Sequence, residues 1–204
     1  MITVIDYGMG NLGSILNMFK KIGIEAHATA DPALVARACK MVLPGVGAFD
    51  AGMANLRRAG LVDVLHSRVM RDRIPVLGIC LGMQLMTRRS AEGREAGLGW
   101  IEADVARFDQ SSHLQMKVPH MGWNVVRPEK RSELLNDMNH ELRFYFVHSY
   151  FVRCDLSADV LLSADYTLRF DAAFERQNIL GVQFHPEKSH RFGMHLLRNF
   201  AERY

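Results

Sequence analysis

Two rhythms of apolar residues run along this chain. Up to about Gly93, short apolar runs alternate with helical spacing. Ile2–Ile5 reads as a buried strand. Leu12, Ile15, Leu16, Phe19 and Ile22 then share one helix face, with Gly23 as the stop. Residues 24–29 predict a second strand and Met41-Val42-Leu43 a third. Helices follow at Phe49–Arg58 and 61–71, the latter turning Leu61, Val64, Leu65 and Val69 inward. Another apolar run ends at Cys80, and a helical pattern begins at once and continues to Ser90-Ala91-Glu92-Gly93, where glycine stands in the stop position. From Leu98 the spacing changes to strand-like runs at 100–108, 125–126, 144–153, 160–164, 170–176 and 179–184. A helix at 193–203 closes the chain, with Leu196, Leu197 and Phe200 inward. Strands alternating with helices predict a parallel sheet, and strands in succession predict antiparallel pairing. The expectation is therefore an α/β fold: a central, mostly parallel sheet flanked by helices, with a smaller antiparallel β portion in the second half. No Pro/Ser-rich linker or repeat divides it, so residues 1–204 are expected to form one domain.

Composition narrows the function classes. The 204 residues are 49% hydrophobic and 23% charged, with a formal net charge of +3 and scattered basic residues. That balance gives nucleic-acid binding little support. No apolar segment approaches the roughly 18 residues needed to cross a bilayer. The first residues read as a strand rather than a basic leader, and Cys39, Cys80 and Cys154 are too far apart for a disulfide framework or a metal pair. A reducing cytoplasm is the expected compartment. Neither a metal nor a cofactor is expected.

The chemistry concentrates around Cys80. Gly78 and Gly82 flank it two residues away on each side, between a strand and a helix. This is the layout of a nucleophile elbow, in which a sharp turn presents one side chain at the top of a sheet. Glycines let strand and helix approach closely there. A thiol at a helix N-terminus is biased towards thiolate, the reactive form. Alone, Cys80 also reads as a small buried hydrophobe; the glycines and the strand–helix junction favour the nucleophile. Gln84, one turn on, shares its helix face.

A nucleophilic thiol needs a base that is itself oriented. Among nine histidines, those at 27, 66, 113, 140, 190 and 195 lie in polar or helical contexts and read as surface residues. His120 and His148 lie in dense local clusters. His185 instead ends the 179–184 strand and opens His185-Pro186-Glu187. Proline stops the strand and holds His185 extended. The Glu187 side chain, two residues on, then points the same way and can hold one ring N–H. Two glycine loops remain. Gly8, Gly10 and Gly13 match GxGxxG, a dinucleotide signal or simply a turn that brings a helix close to the sheet. Pro44-Gly45-Val46-Gly47 lies at a strand's carboxyl end, where α/β proteins bind ligands, and reads equally as an ordinary βα turn.

Cys80 on its elbow, His185-Pro186-Glu187 and Pro44-Gly45-Val46-Gly47 together resemble the class I (triad) glutamine amidotransferases. Pro44–Phe49, Val118-Pro119-His120-Met121-Gly122-Trp123-Asn124, Phe146-Val147-His148-Ser149-Tyr150 and the stretch from Gln183 to Ser189 narrow the resemblance to the HisH family, the glutaminase subunits of imidazole glycerol phosphate synthase. It covers essentially the whole chain. It implies that Cys80 attacks the side-chain amide of L-glutamine, with His185 passing the proton to the leaving ammonia and Glu187 orienting the ring. It implies an oxyanion hole from Leu81 and the Gly45, Val46 and Gly47 stretch, and substrate contacts from Gln84, Glu92, Ser149 and Tyr150. Asn11, Met121, Trp123 and Lys188 would face a (β/α)8 cyclase subunit in a heterodimer, which would use the ammonia to form imidazole glycerol phosphate and an aminoimidazole carboxamide ribonucleotide. Ala91 departs from the acidic residue common in relatives, and Thr87-Arg88-Arg89 is unusually basic; neither touches the triad. The alternatives are a related glutaminase serving amidation of a surface-polysaccharide sugar, a cysteine hydrolase of another amide, and a nucleotide-binding module built on the GxGxxG loop.

Overall fold

The computed structural model describes residues 1–109, 117–138 and 141–204; His113 and His140 lie outside them. The elements run β1 (Ile2–Ile5), α1 (Leu12–Lys21), β2 (Ala26–Thr29), α2 (Pro32–Val35), β3 (Met41–Leu43), α3 (Phe49–Arg58), α4 (Val62–His66), β4 (Val76–Ile79), α5 (Leu81–Leu85), β5 (Ala103–Arg107), β6 (His120–Pro128), β7 (Leu142–His148), β8 (Tyr150–Cys154), β9 (Val160–Asp165), β10 (Arg169–Arg176), β11 (Ile179–Val182) and α6 (His190–Arg203). One sheet carries all the strands in the order β2-β1-β3-β4-β11-β10-β9-β6-β7, with β5 on β8 and β8 on β10.

The strands from β2 to β11 are parallel. From β10 outward every pairing is antiparallel. The α/β class, with parallel pairing in the first half and antiparallel pairing in the second, matches the sequence; the antiparallel strands continue the same sheet and are as many as the parallel ones or more. A tight hairpin at Gln177 (φ 57°) reverses the chain between β10 and β11 and so joins the two halves.

Alternation along the strands sends side chains to opposite faces. Ile2, Val4, Leu77, Ile79, Leu180 and Val182 join Phe19, Leu196 and Phe200 from α1 and α6. Ile5, Met41, Leu43 and Val76 join Phe49, Leu56, Leu65 and Leu85 from α3, α4 and α5. Helices therefore cover both faces, as parallel strands require.

Some boundaries differ from the sequence reading, for local reasons. The helix after Cys80 stops at Leu85 instead of continuing to Gly93. The carbonyls of Leu85, Met86 and Thr87 are taken by the N–H groups of Leu98, Trp100 and Gly99, which fold back on them. Gly93 is no helix stop: a Cβ there would strike the Asp50 carboxylate, which accepts from the N–H groups of Arg94 and Glu95. The expected strand at 100–108 starts only at Ala103, because Trp100 and Ile101 both donate to Met86. The 144–153 run breaks at Ser149: β7 pairs with β6, while β8 leaves to pair with β5 and β10. The 125–126 strand lengthens to β6 because β7 pairs with it from His120 onward.

Candidate active site

Cys80 leaves β4 with φ 53° and ψ −108°, backbone that a side chain rarely adopts and that packing must hold in place. The packing is visible at its flanks. A Cβ on Gly78 would lie 2.8 Å from the Met83 backbone, and one on Gly82 would strike the Leu43 carbonyl. Only glycine fits at either position. The helix begun at Leu81 is five residues long, so any dipole effect on the thiol is correspondingly small.

β11 lies parallel to β4, with Val182 beside Ile79. Cys80 and His185 therefore emerge at the same edge of the sheet, and the Cys80 N–H donates to the Val182 carbonyl at 2.8 Å. His185 is held from both sides. Its N–H donates to the Tyr145 carbonyl at 2.9 Å, and its carbonyl accepts from the Ser189 hydroxyl at 2.6 Å. The ring's Nδ1 pairs with Glu187 Oε1 at 2.7 Å, with the two side chains 1% and 3% exposed. Its Nε2 is buried, on the side of Cys80, with no hydrogen-bond partner within normal geometry among the described residues. Burial alone would lower the imidazole pKa, but interaction with Cys80 and Glu187 outweighs it and raises the value to about 10. The ring is thus poised to carry a proton at neutral pH.

A cavity of about 260 Å³ opens in front of Cys80, the size for an amino acid rather than an extended chain. Its walls bring together Val46, Gly47, Leu81, Gln84, Glu92, Ser149 and Tyr150, while His185 and Glu187 stand outside the lining. Glu92 also caps α3: its Oε2 accepts the Phe49 N–H at 2.8 Å, where the helix's own N-cap residue, Ala48, offers no side chain. Gly45 lies just behind the wall, crowded by the Tyr7 hydroxyl and by Leu81. Its carbonyl accepts the Leu81 N–H at 3.3 Å. Tyr7, buried beneath, donates its hydroxyl to the Pro44 carbonyl at 2.6 Å. Burial and the neighbouring Cys80 push the Tyr7 phenol far upward, so it stays a donor.

The remaining candidates lie on the surface. Met121 is 62% and Trp123 42% exposed. Trp123 stacks on His190 and meets Tyr145 edge-on, while the Lys188 ammonium lies 5.8 Å over the Tyr145 ring. Asn11, also exposed, caps α1 by accepting the Ser14 N–H. The GxGxxG glycines have structural work: Gly10 (φ 98°) lies where a Cβ would approach the Gly45 nitrogen to 3.3 Å. A dinucleotide site would also need an acidic residue about 20 positions after the glycines; Asp31, near that distance, instead caps α2 by accepting the Ala33 N–H. Among the described residues no three His, Cys, Asp or Glu side chains gather as metal ligands. His66 and His190 are exposed, whereas His27 and His195 are half-buried.

Sequence reasoning passed over four polar residues of the site: Tyr7, His120, His148 and Gln183. His120 and His148 face each other across the β6–β7 ladder, their rings joined Nδ1 to Nε2 at 3.0 Å. Gln183, fully buried, donates from Nε2 to the Cys80 sulfur at 3.7 Å. His120, His148 and Gln183 stand within the motifs that carry the resemblance, which was the available signal.

The model of the class I glutamine amidotransferase family matches residues 3–203. Among curated proteins, subunit HisH 2 of imidazole glycerol phosphate synthase from Pseudomonas aeruginosa is 53% identical over 202 residues, covering 99% of each chain. HisH 2 of Methanococcus maripaludis is 50% identical, again over 99% of both. Among solved structures, a glutamine amidotransferase superposes with a TM-score of 0.76 at 19% identity, covering 99% of this chain and 98% of that one. A glutamine amidotransferase of Thermotoga maritima gives 0.65 at 18% identity, covering 100% and 81%. Fold and sequence agree, and this chain belongs to the class I glutamine amidotransferases, in the HisH family.

Proposed function

We propose that this chain is the glutaminase subunit of imidazole glycerol phosphate synthase, working through Cys80, His185 and Glu187. The supporting observation is the meeting of Cys80 with the His185–Glu187 pair at one sheet edge, in front of a cavity of about 260 Å³ with Gln84 and Glu92 in its wall.

The Cys80 sulfur attacks the side-chain carbonyl carbon of glutamine. His185 gives its proton to the amide nitrogen, the C–N bond breaks, and ammonia leaves. Water, deprotonated by the same imidazole, then attacks the γ-glutamyl thioester and releases glutamate, returning the sulfur. Glu187 keeps Nδ1 occupied so that Nε2 does this work. The Gln84, Glu92, Ser149 and Tyr150 side of the cavity holds the amino-acid end of the substrate.

The tetrahedral oxyanion requires donors, and Leu81 N–H is the natural one. In this state the Gly45 carbonyl occupies it. The Gly45, Val46 and Gly47 stretch must therefore turn before the hole is complete, and one such donor is typically worth roughly 3 kcal/mol of transition-state stabilisation. That loop is the two-state element through which a partner acts. The partner is a (β/α)8 cyclase docked over Asn11, Met121, Trp123 and Lys188. It receives ammonia through a protected path, since ammonia released to neutral water becomes mostly non-nucleophilic ammonium.

Glutamine hydrolysis measured alone, with the cyclase, and with cyclase plus acceptor nucleotide tests this. Slow turnover alone and strong stimulation in the full complex are expected; equal rates would sink the gating. Cys80→Ala should abolish glutamine-dependent synthesis in the complex and spare synthesis from added ammonia. Loss of both would assign Cys80 a structural role instead. The ammonia-forming site fits a second reading equally: a related glutaminase that feeds another acceptor, such as a surface-polysaccharide sugar. The cyclase-type subunit that co-purifies with this chain decides between them.

A further inference from the structure

The polar groups behind Cys80 form one continuous chain whose direction is fixed by a single atom. The Tyr150 carbonyl can only accept. It takes a hydrogen bond from His148 Nδ1 at 2.8 Å and another from Gln84 Nε2 at 3.1 Å. With Nδ1 of His148 the donor, its Nε2 accepts in the neutral ring, so His120 Nδ1 donates to it at 3.0 Å. His120 Nε2 must then accept, and Asn124 Nδ2 lies 3.2 Å away to supply the proton. In the other direction, the second N–H of Gln84 Nε2 goes to Gln183 Oε1 at 3.1 Å. With its oxygen committed, Gln183 presents its amide nitrogen to the Cys80 sulfur.

Amide orientations are otherwise ambiguous from shape alone. Here they are determined. Both histidines must be neutral for the chain to close, which agrees with burial lowering the pKa of His120 to about 4 and His148 to about 3.

We infer that Gln183 is a further catalytic residue: its side-chain N–H donates to the Cys80 sulfur and stabilises the thiolate, in an orientation set by Gln84, the Tyr150 carbonyl and the His148–His120 pair. The inference rests on Cys80 as the nucleophile. A donor on a thiolate favours the charged form over the thiol. The titratable groups facing the sulfur are His185 beyond β11 and Tyr7 beyond β1; Glu187 acts from behind His185. Gln183 adds a neutral donor between them and needs no proton transfer. The same chain leaves Gln84 Oε1 as an acceptor for the cavity that Gln84 lines, since both of its N–H bonds point inward.

The test is peptide-resolved alkylation of Cys80 by iodoacetamide, in the full chain with its cyclase partner, for Gln183→Met and Gln183→Glu. Reading the Cys80 peptide alone sets aside Cys39 and Cys154. Only thiolate reacts, so removing the donor should slow Cys80 alkylation about tenfold at about pH 7.5, while the limiting rate at about pH 10 stays within twofold. Gln183→Glu should slow it further at about pH 7.5, because a carboxylate facing the sulfur disfavours a second negative charge. Glutaminase kcat should fall with KM for glutamine nearly unchanged. Alkylation that follows the wild-type pH profile in the folded variant overturns the inference, as does equal slowing at both pH values. If Gln183→Met does not fold, Gln183→Glu, which preserves side-chain volume, decides alone. Failure of glutamine as substrate would strike the proposed function and leave the alkylation result standing, so the two fail separately.

Discussion

Acid should unfold this protein through two residues that never leave their neutral form inside it. Consider His120→Phe combined with His148→Phe, compared with the wild type from pH 7 to pH 4. In the folded chain burial holds the His120 pKa down to about 4 and that of His148 to about 3. Unfolded, each returns to an ordinary value near 6.5. The sign follows from which state takes up the proton. Both folded pKa values lie below the unfolded value, so below pH 6.5 the unfolded chain binds protons that the fold refuses. Stability is then lost as pH falls. One ring alone gives 2.5 pH units down to pH 4, about 3 kcal/mol at 1.36 kcal/mol per unit. The second ring, whose folded pKa lies lower still, adds to this, so about 3 kcal/mol is the minimum for the pair. Against a total of about 5–15 kcal/mol for a domain, that is a large share.

The double substitution keeps every partner of the pair satisfied. Asn124 retains the Asp165 carbonyl and the Tyr150 carbonyl retains Gln84. Phe146 and Tyr166 already stack on His120, and Phe108 and Phe170 surround His148, so aromatic rings suit the site. Replacing both members of a buried pair by apolar groups of like shape is often nearly neutral. Urea unfolding at pH 7, 6, 5 and 4 reads the result. Carboxylates titrate in both proteins and cancel in the difference. The variant should lose at least about 3 kcal/mol less than the wild type over the range. Parallel stability curves would refute neutral burial of the pair.

Three further outcomes are expected. Gly82→Ala drives a methyl into the Leu43 carbonyl and should cost about 3 kcal/mol in thermal or urea unfolding, with loss of the elbow geometry; a change below about 1 kcal/mol would mean the helix shifts freely. Tyr7→Phe removes the donor on the Pro44 carbonyl; glutaminase activity without partner should rise severalfold as the loop loosens, and an unchanged basal rate would clear Tyr7 of that role. Glu187→Gln should lower kcat roughly a hundredfold with KM little altered, since the ring loses its charged anchor; a KM effect alone would place Glu187 on the substrate instead.

What could be read from the sequence was whatever local spacing controls. Gly78 and Gly82 announce a turn that admits nothing larger, and His185 with Glu187 two residues on, around a proline, announces an oriented imidazole. The residues that escaped are those whose partners are chosen by strand register. Gln183 meets Cys80 only because Val182 pairs with Ile79. His120 meets His148 only because β6 and β7 pair at that step. A shift of one residue would send either side chain to the opposite face. The early end of α5 escaped for a similar reason: its last carbonyls are taken by residues more than ten positions later.

Cys80 and His185 ride on neighbouring strands laced together by main-chain hydrogen bonds, while Gly45 reaches the same spot from a separate loop. On the proposed function, the chemical apparatus is thereby built into scaffolding, and its control is left to a loop of a few residues. Such a division favours reuse. If that function holds, changes confined to the loop and to the exposed rim around Met121 and Trp123 would assign the protein a new client while Cys80 and His185 keep their places.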